Sequence, residues 1–257
     1  MSGKRDREAR REEQLQAGER AAADDRRQRM IKLASAMAFL ALAVVAVLIV
    51  VSQGSNEEGG DASKVEGAAE IEAELNGIPQ KGLVLGSGGA KATLVEFGDL
   101  QCPFCKGFAE EILPPVIENK VRAGEAKLEF RNFTIIGEQS VPAGAAAIAA
   151  GQQGRGWNFI ELFYRNQGRE DSGYVTDEFM TAIARAAGVR NIAQWNKARK
   201  SKSVLNEVSK TTEEARELGF SGTPSFAVEG PGVKGLETLG TPGSSGDLES
   251  ALENAAG

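Results

Sequence analysis

The chain contains two cysteines, and they sit three positions apart in the run Cys102-Pro103-Phe104-Cys105. A pair at this spacing can cycle between dithiol and disulfide, close a passive loop, or supply half of a zinc site that a second chain completes. The passive loop gains little, because closing it over two residues removes little chain entropy. Histidine is absent altogether, so no Ser-His or Cys-His base and no imidazole ligand exists within the chain. Two cysteines are too few for a four-cysteine zinc or iron–sulfur site in one chain, or for a disulfide-stapled secreted scaffold.

The surrounding pattern says how the pair is held. ATLVEFGDL, residues 92–100, is a β-rich run, and Phe104, Phe108, Ile112 and Val116 then recur at helical spacing. Pro103 falls at the first helical position, where a missing N–H is tolerated. Cys102 thus meets the unpaired N–H groups and positive end of a helix, which lowers its pKa below a free value of about 8.5. Pro114 and Pro115 are expected to kink or interrupt this helix, and Gly124 to close it. AKLEFRNFTII (126–136) reads as a second strand, giving a βαβ unit of the α/β class. Five segments of helical periodicity fill about 138–219, the third opened by Thr176 as N-cap. The chain returns to β at TPSFAVEG and ends in a helix capped by Ser245 or Asp247.

Glu96 lies six residues before Cys102. Strict alternation puts it on the face opposite Val95 and Phe97, where it could be solvated. Asp99 reads as a cap of the turn. Trp157, Phe159, Leu162, Phe163 and Tyr164 read as core of the helical segment. The glycine-rich run Gly86 to Thr93 fits no phosphate-loop spacing and precedes a strand instead of a helix, so it is set aside.

The 257 residues carry a net charge of −6, unevenly spread. Residues 1–32 hold ten basic and seven acidic residues, while Leu33 to Val51 is 19 residues without a charge. That apolar run spans roughly 28 Å, close to a bilayer's hydrocarbon core, and no small-residue cleavage pattern follows it. Expected organisation is a cytoplasmic basic disordered arm (1–32), an uncleaved transmembrane helix (33–52), a flexible linker (53–81) and a folded domain (82–257). The positive-inside rule places the arm in the cytoplasm and both cysteines in an oxidising compartment outside it. The remainder carries a balance of −9, which argues against nucleic acid as a partner.

LVEFGDLQCPFC, the helical insert, and Gly222-Thr223-Pro224-Ser225 opening the later strand together resemble the DsbA-like branch of the thioredoxin superfamily, most of all its membrane-anchored, extracytoplasmic Gram-positive forms. The resemblance covers about Leu83 to Ala256. It implies a thioredoxin-like fold with a helical insertion, and a thiol-disulfide oxidoreductase with a redox-active Cys102–Cys105 disulfide. Cys102 would be the exposed nucleophile and Cys105 the buried resolving thiol. Pro224 would follow a cis peptide bond, with the Thr223 backbone beside an extended substrate, and Glu96 would be a buried acid exchanging a proton with Cys105. Pro103 and Phe104 complete the motif. Phe104 departs from the histidine of strongly oxidising enteric relatives, which implies a less oxidising potential. No organic cofactor or metal is needed. Implied partners are unfolded or exported thiol-containing proteins and a quinone-linked membrane reoxidase of the DsbB or vitamin-K-epoxide-reductase type. Alternatives are a reductase or isomerase on the same fold, or a thiol copper-binding protein.

Overall fold

The computed structural model describes residues 61–257. The expected arm (1–32), the apolar segment expected to span a membrane (33–52) and residues 53–60 of the expected linker lie outside the described residues. Among the described residues no helix is long and apolar enough to cross a membrane.

The site is organised by one strand, β3 (Ala92–Gly98), in the middle of a six-stranded sheet. Its parallel neighbour is β4 (Ala126–Asn132) and its antiparallel neighbour β5 (Ser225–Glu229). Two short strands, β1 (Gln80–Lys81) and β2 (Val84–Leu85), extend the sheet beyond β4, and β6 (Glu237–Leu239) extends it beyond β5. All seven β3 residues are buried, because hydrogen-bonded neighbours flank both edges and packed elements cover both faces. Ala92 and Leu94 belong to the main core, whereas Val95 and Phe97 join a smaller cluster with Phe133, Ala215 and Ala227. Glu96 therefore does not face solvent: the face opposite Val95 and Phe97 is also an interior face.

Cys102 is the N-cap of α2 (Pro103–Gly107). The α-helix is interrupted around the two prolines, as expected, but the chain does not leave the helical path. The chain runs on through a π turn (Phe108–Ile112), α3 (Leu113–Val116) and a second π turn (Ile117–Val121). The wide turn before the prolines makes them the opening residues of a fresh α turn, where their missing N–H groups need no acceptor. Gly124, at φ +77°, ends the run. The helical insert is α4 (Ser140–Gly151), α5 (Gly156–Arg165), α6 (Asp177–Ala186), α7 (Ile192–Arg199) and α8 (Lys202–Glu217). Thr176 caps α6 by accepting from the Phe179 N–H at 3.1 Å.

Two boundary expectations are corrected. The last helix, α9 (Ser245–Ala256), is capped by Ser244, with Asp247 closing a reciprocal capping box; the box places the cap one residue earlier than expected. Residues 61–81 are not a flexible linker. They include α1 (Ala68–Leu75), which buries Ile71 and Leu75 in the main core, and β1. The Gly, Glu and Ala content hid two apolar residues four apart, enough to seat one helix face. The Arg122 guanidinium donates to the carbonyls of Glu74 and Asn76, tying the end of α1 to the rest of the domain. Leu75→Ala should therefore lower unfolding stability by about 2–5 kcal/mol, read as a shift in the urea midpoint; a residue in a flexible linker would leave it unchanged.

Candidate active site

Asp99, the residue that turns the chain from β3 toward α2, is 1% exposed. Its carboxylate accepts from the backbone N–H of Gln101 (2.9 Å), Ile135 (2.9 Å) and Ile136 (3.0 Å). Its carbonyl accepts from the Cys102 N–H at 2.9 Å and from the Tyr164 hydroxyl at 3.4 Å. The turn bearing Cys102 is thus tied to the segment after β4 and to α5. Gln167 donates to the carbonyls of Leu100 (2.7 Å) and Cys102 (3.1 Å), and Gln101 donates to the Ser140 hydroxyl at 3.0 Å. Residue-type reasoning found Asp99 but missed Gln167, Tyr164, Gln101 and Ser140 as supports. Their partners are main-chain atoms or lie about 40–65 positions away, and a single sequence carries no signal for that.

The cysteines are both free thiols and both buried. Cys102 is only 2% exposed, so the expectation of an exposed nucleophile is corrected. The Thr223 carbonyl closes over it, accepting from the Cys102 Sγ–H at 3.2 Å across the cis Thr223–Pro224 bond. The Thr223 hydroxyl is buried and has no partner. Phe104, by contrast, stands 76% exposed, so this position contributes its backbone N–H to the thiolate and its ring to the surface. The Cys102 thiol is lowered to a pKa of about 6, first by a hydrogen bond from the Cys105 thiol, with the backbone N–H groups of Cys105 and Phe104 adding to it against the penalty of burial.

Burial pushes the Cys105 thiol well up, and its neighbours Cys102 and Glu96 push the same way. Glu96 is 3% exposed with no partner for its Oε1. Burial, and secondarily the Cys102 charge, raise it to about 8. Gly98 makes room for it: a Cβ there would stand 2.6 Å from the Phe130 ring and 3.1 Å from Glu96 Oε1. The structure therefore brings together a group that is a thiolate at neutral pH, a thiol that is not, and a carboxyl that holds a proton there. That set can perform thiol–disulfide exchange.

A cavity of about 460 Å³ is lined by Phe104, residues 219–226, Thr223 and Pro224 among them, and residues 239–241.

The family model described as Thioredoxin matches residues 79–242. The chain belongs to the thioredoxin family. It is 32% identical over 149 residues to the probable disulfide bond formation protein D of Bacillus cereus, covering 57% of this chain and 69% of that protein. It is 26% identical over 180 residues to disulfide bond formation protein D of Bacillus subtilis, covering 69% and 77%. The oxidised crystal structure of BdbD from Bacillus subtilis superposes with a TM-score of 0.60 at 20% identity, over 69% of this chain and 97% of that one; this likeness concerns the fold. With these relatives and this fold, the chain is a DsbA-like thiol-disulfide oxidoreductase of the family.

Two outcomes follow from the opposed shifts. Alkylation of the reduced protein should titrate with a midpoint near pH 6, and peptide mapping should find the label on Cys102 and not on Cys105 at neutral pH. Glu96 is raised from 4.5 to about 8 in the folded state, so its contribution to stability is intact below about pH 4.5 and lost as pH rises through 8. Glu96→Gln should therefore leave reduced-state stability unchanged near pH 4 and raise it near pH 9, by on the order of 4–5 kcal/mol. Thermal unfolding at both pH values checks the sign.

Proposed function

We propose that this protein is a membrane-anchored, extracytoplasmic enzyme that introduces disulfides into exported proteins through the Cys102–Cys105 pair. The observation that carries the reading is the stabilised Cys102 thiolate beside a protonated Cys105. Stabilising the reduced form makes the disulfide form the better oxidant. The apolar segment 33–51 and its basic N-terminal flank support anchoring with the thiols outside. Bacillus relatives named disulfide bond formation protein D support the direction of electron flow.

In this reading a substrate thiolate attacks Cys102 Sγ of the disulfide, and Cys105 departs as a thiolate. Glu96, protonated at neutral pH, gives that thiolate its proton. A second substrate thiolate then attacks the substrate sulfur of the mixed disulfide, forming the product disulfide and releasing Cys102 as a thiolate. Two electrons pass from substrate to the cysteine pair. The Thr223 and Pro224 backbone holds the substrate chain alongside, and the Thr223 hydroxyl is the side-chain donor available to the released thiolate. A quinone-linked membrane protein of the DsbB or vitamin-K-epoxide-reductase type takes the electrons onward. No resident cofactor or metal enters the cycle.

A reductase or isomerase role keeps the same steps in reverse, and the side chain at 104 favours it, since a phenyl ring gives the thiolate neither charge nor a donor. The reduction potential, from equilibration with glutathione buffers, decides between them. A value toward about −120 mV establishes a disulfide donor, and a value near about −270 mV reverses the direction. Cys105→Ala should trap substrates as mixed disulfides on Cys102, visible as adducts that a reductant dissolves; an absence of adducts would refute exchange at Cys102.

A further inference from the structure

The loop that leaves α5 meets the turn bearing Cys102 at three points. The Gln167 side-chain amide donates to the Leu100 carbonyl at 2.7 Å and to the Cys102 carbonyl at 3.1 Å. The Asp171 N–H donates to the Gln101 side chain at 3.3 Å. Residues 100, 101 and 102 are thus each held from this one loop. Leu100 and Cys102 are 1% and 2% exposed, so a carbonyl that loses the Gln167 amide has no ready access to water in its place. Hydrogen bonds fix Cys102 from both sides. Its N–H is held by the Asp99 carbonyl at 2.9 Å, and its carbonyl by Gln167 and by the Lys106 N–H at 3.2 Å. With both peptide groups pinned, its φ of −76° and ψ of 120° are set, and with them the direction of its Cα–Cβ bond. Sγ then meets the backbone N–H groups of Phe104 and Cys105, which donate to it. The loop is anchored in turn by Asn166, whose side chain donates to the carbonyls of Leu162 (2.8 Å) and Glu66 (3.0 Å) and accepts from the Glu66 N–H at 2.8 Å.

We propose that Gln167 is a positioning residue for the exchange reaction, its amide holding the Leu100 and Cys102 carbonyls so that Cys102 Sγ stays within reach of the first N–H groups of α2. This rests on Cys102 being the sulfur at which exchange occurs. Gln167 acts through the main chain, and neither electrons nor protons pass through it. In the disulfide form Sγ carries no charge, so the donors that Gln167 keeps in place favour the reduced form selectively. They also make Cys102 the better leaving group when the mixed disulfide resolves, since a thiol of lower pKa leaves faster.

The test compares variants of the full chain. Gln167→Met keeps the reach of the side chain and removes both donors, while Glu96 on β3, Cys105 on α2, Asp99 and Tyr164 stay as they are. The alkylation midpoint of Cys102 in the reduced protein should rise by about one pH unit, the roughly tenfold cost of one lost charge-assisted hydrogen bond. At pH 8, above both midpoints, the reduction potential should fall by about 30 mV, which is that same tenfold for a two-electron couple. Asn166→Ala loosens the same loop and leaves the Gln167 amide in place, so it should lower unfolding stability without moving midpoint or potential. An unmoved midpoint and potential in a folded Gln167→Met, with stability lowered equally in both redox forms, make Gln167 a structural support only and overturn the proposal. An equal shift in Asn166→Ala assigns the effect to the loop as a whole and overturns it too. A Cys102 that no thiol reagent labels in the unaltered protein refutes exchange at Cys102 instead. If Gln167→Met does not fold, the side-chain amide resonances of Gln167 in the unaltered reduced protein decide. They should shift with a midpoint near pH 6 as Cys102 ionises; resonances indifferent to pH there overturn the proposal.

Discussion

The geometry of the site hangs on the Asp99 carboxylate. Three backbone N–H groups from two separate segments converge on it, and its own carbonyl holds the Cys102 N–H and the Tyr164 hydroxyl. Hydrogen bonds to a charged acceptor are the stronger kind, and in a buried setting their loss strands several main-chain donors at once. The chain leaving β3 therefore has one path to α2. That path fixes where Cys102 stands relative to the amides of α2, and so how well its thiolate is solvated by the protein. Thr223 and Pro224 arrive from the far end of the sequence to complete the enclosure, since β5 is hydrogen-bonded to β3 along five registered pairs.

Enclosure changes how the electrostatics should be understood. An exposed thiolate is stabilised largely by water; this one, 2% exposed, depends on a thiol and two amides. The same lack of water lifts Cys105, Glu96 and Glu161 in the opposite direction. One environment thus separates two chemically identical thiols: the sulfur at the helix N-cap receives donors, and the sulfur one turn along is more deeply buried, beside Glu96 and the Cys102 charge.

Much of this was legible in the residues. The C-x-x-C spacing after a β-rich run, Pro103 at the helix start, five helical periods between two β regions and Thr-Pro at the later strand define the frame, because each is a local pattern with a local cause. Three features were not legible. The fate of Pro114 and Pro115 turned on a π turn, which no side-chain pattern announces. The segment 68–75 looked polar enough to be a linker, since only Ile71 and Leu75 carry its packing face. The burial of Glu96 depended on what covers β3, and periodicity tells which residues share a face without telling whether that face is inside. Gln167 and Tyr164 are a fourth instance of the same limit: their contribution runs through main-chain carbonyls distant in sequence.

The cavity is walled by Phe104, a run of glycine, serine, threonine, proline and phenylalanine at 219–226, and Leu239, Gly240 and Thr241. No side chain among them bears a formal charge, although the whole chain is acidic. The wall itself therefore offers a chain laid along it no opposite charge to pair with, only main-chain polar groups, hydroxyls and apolar surface.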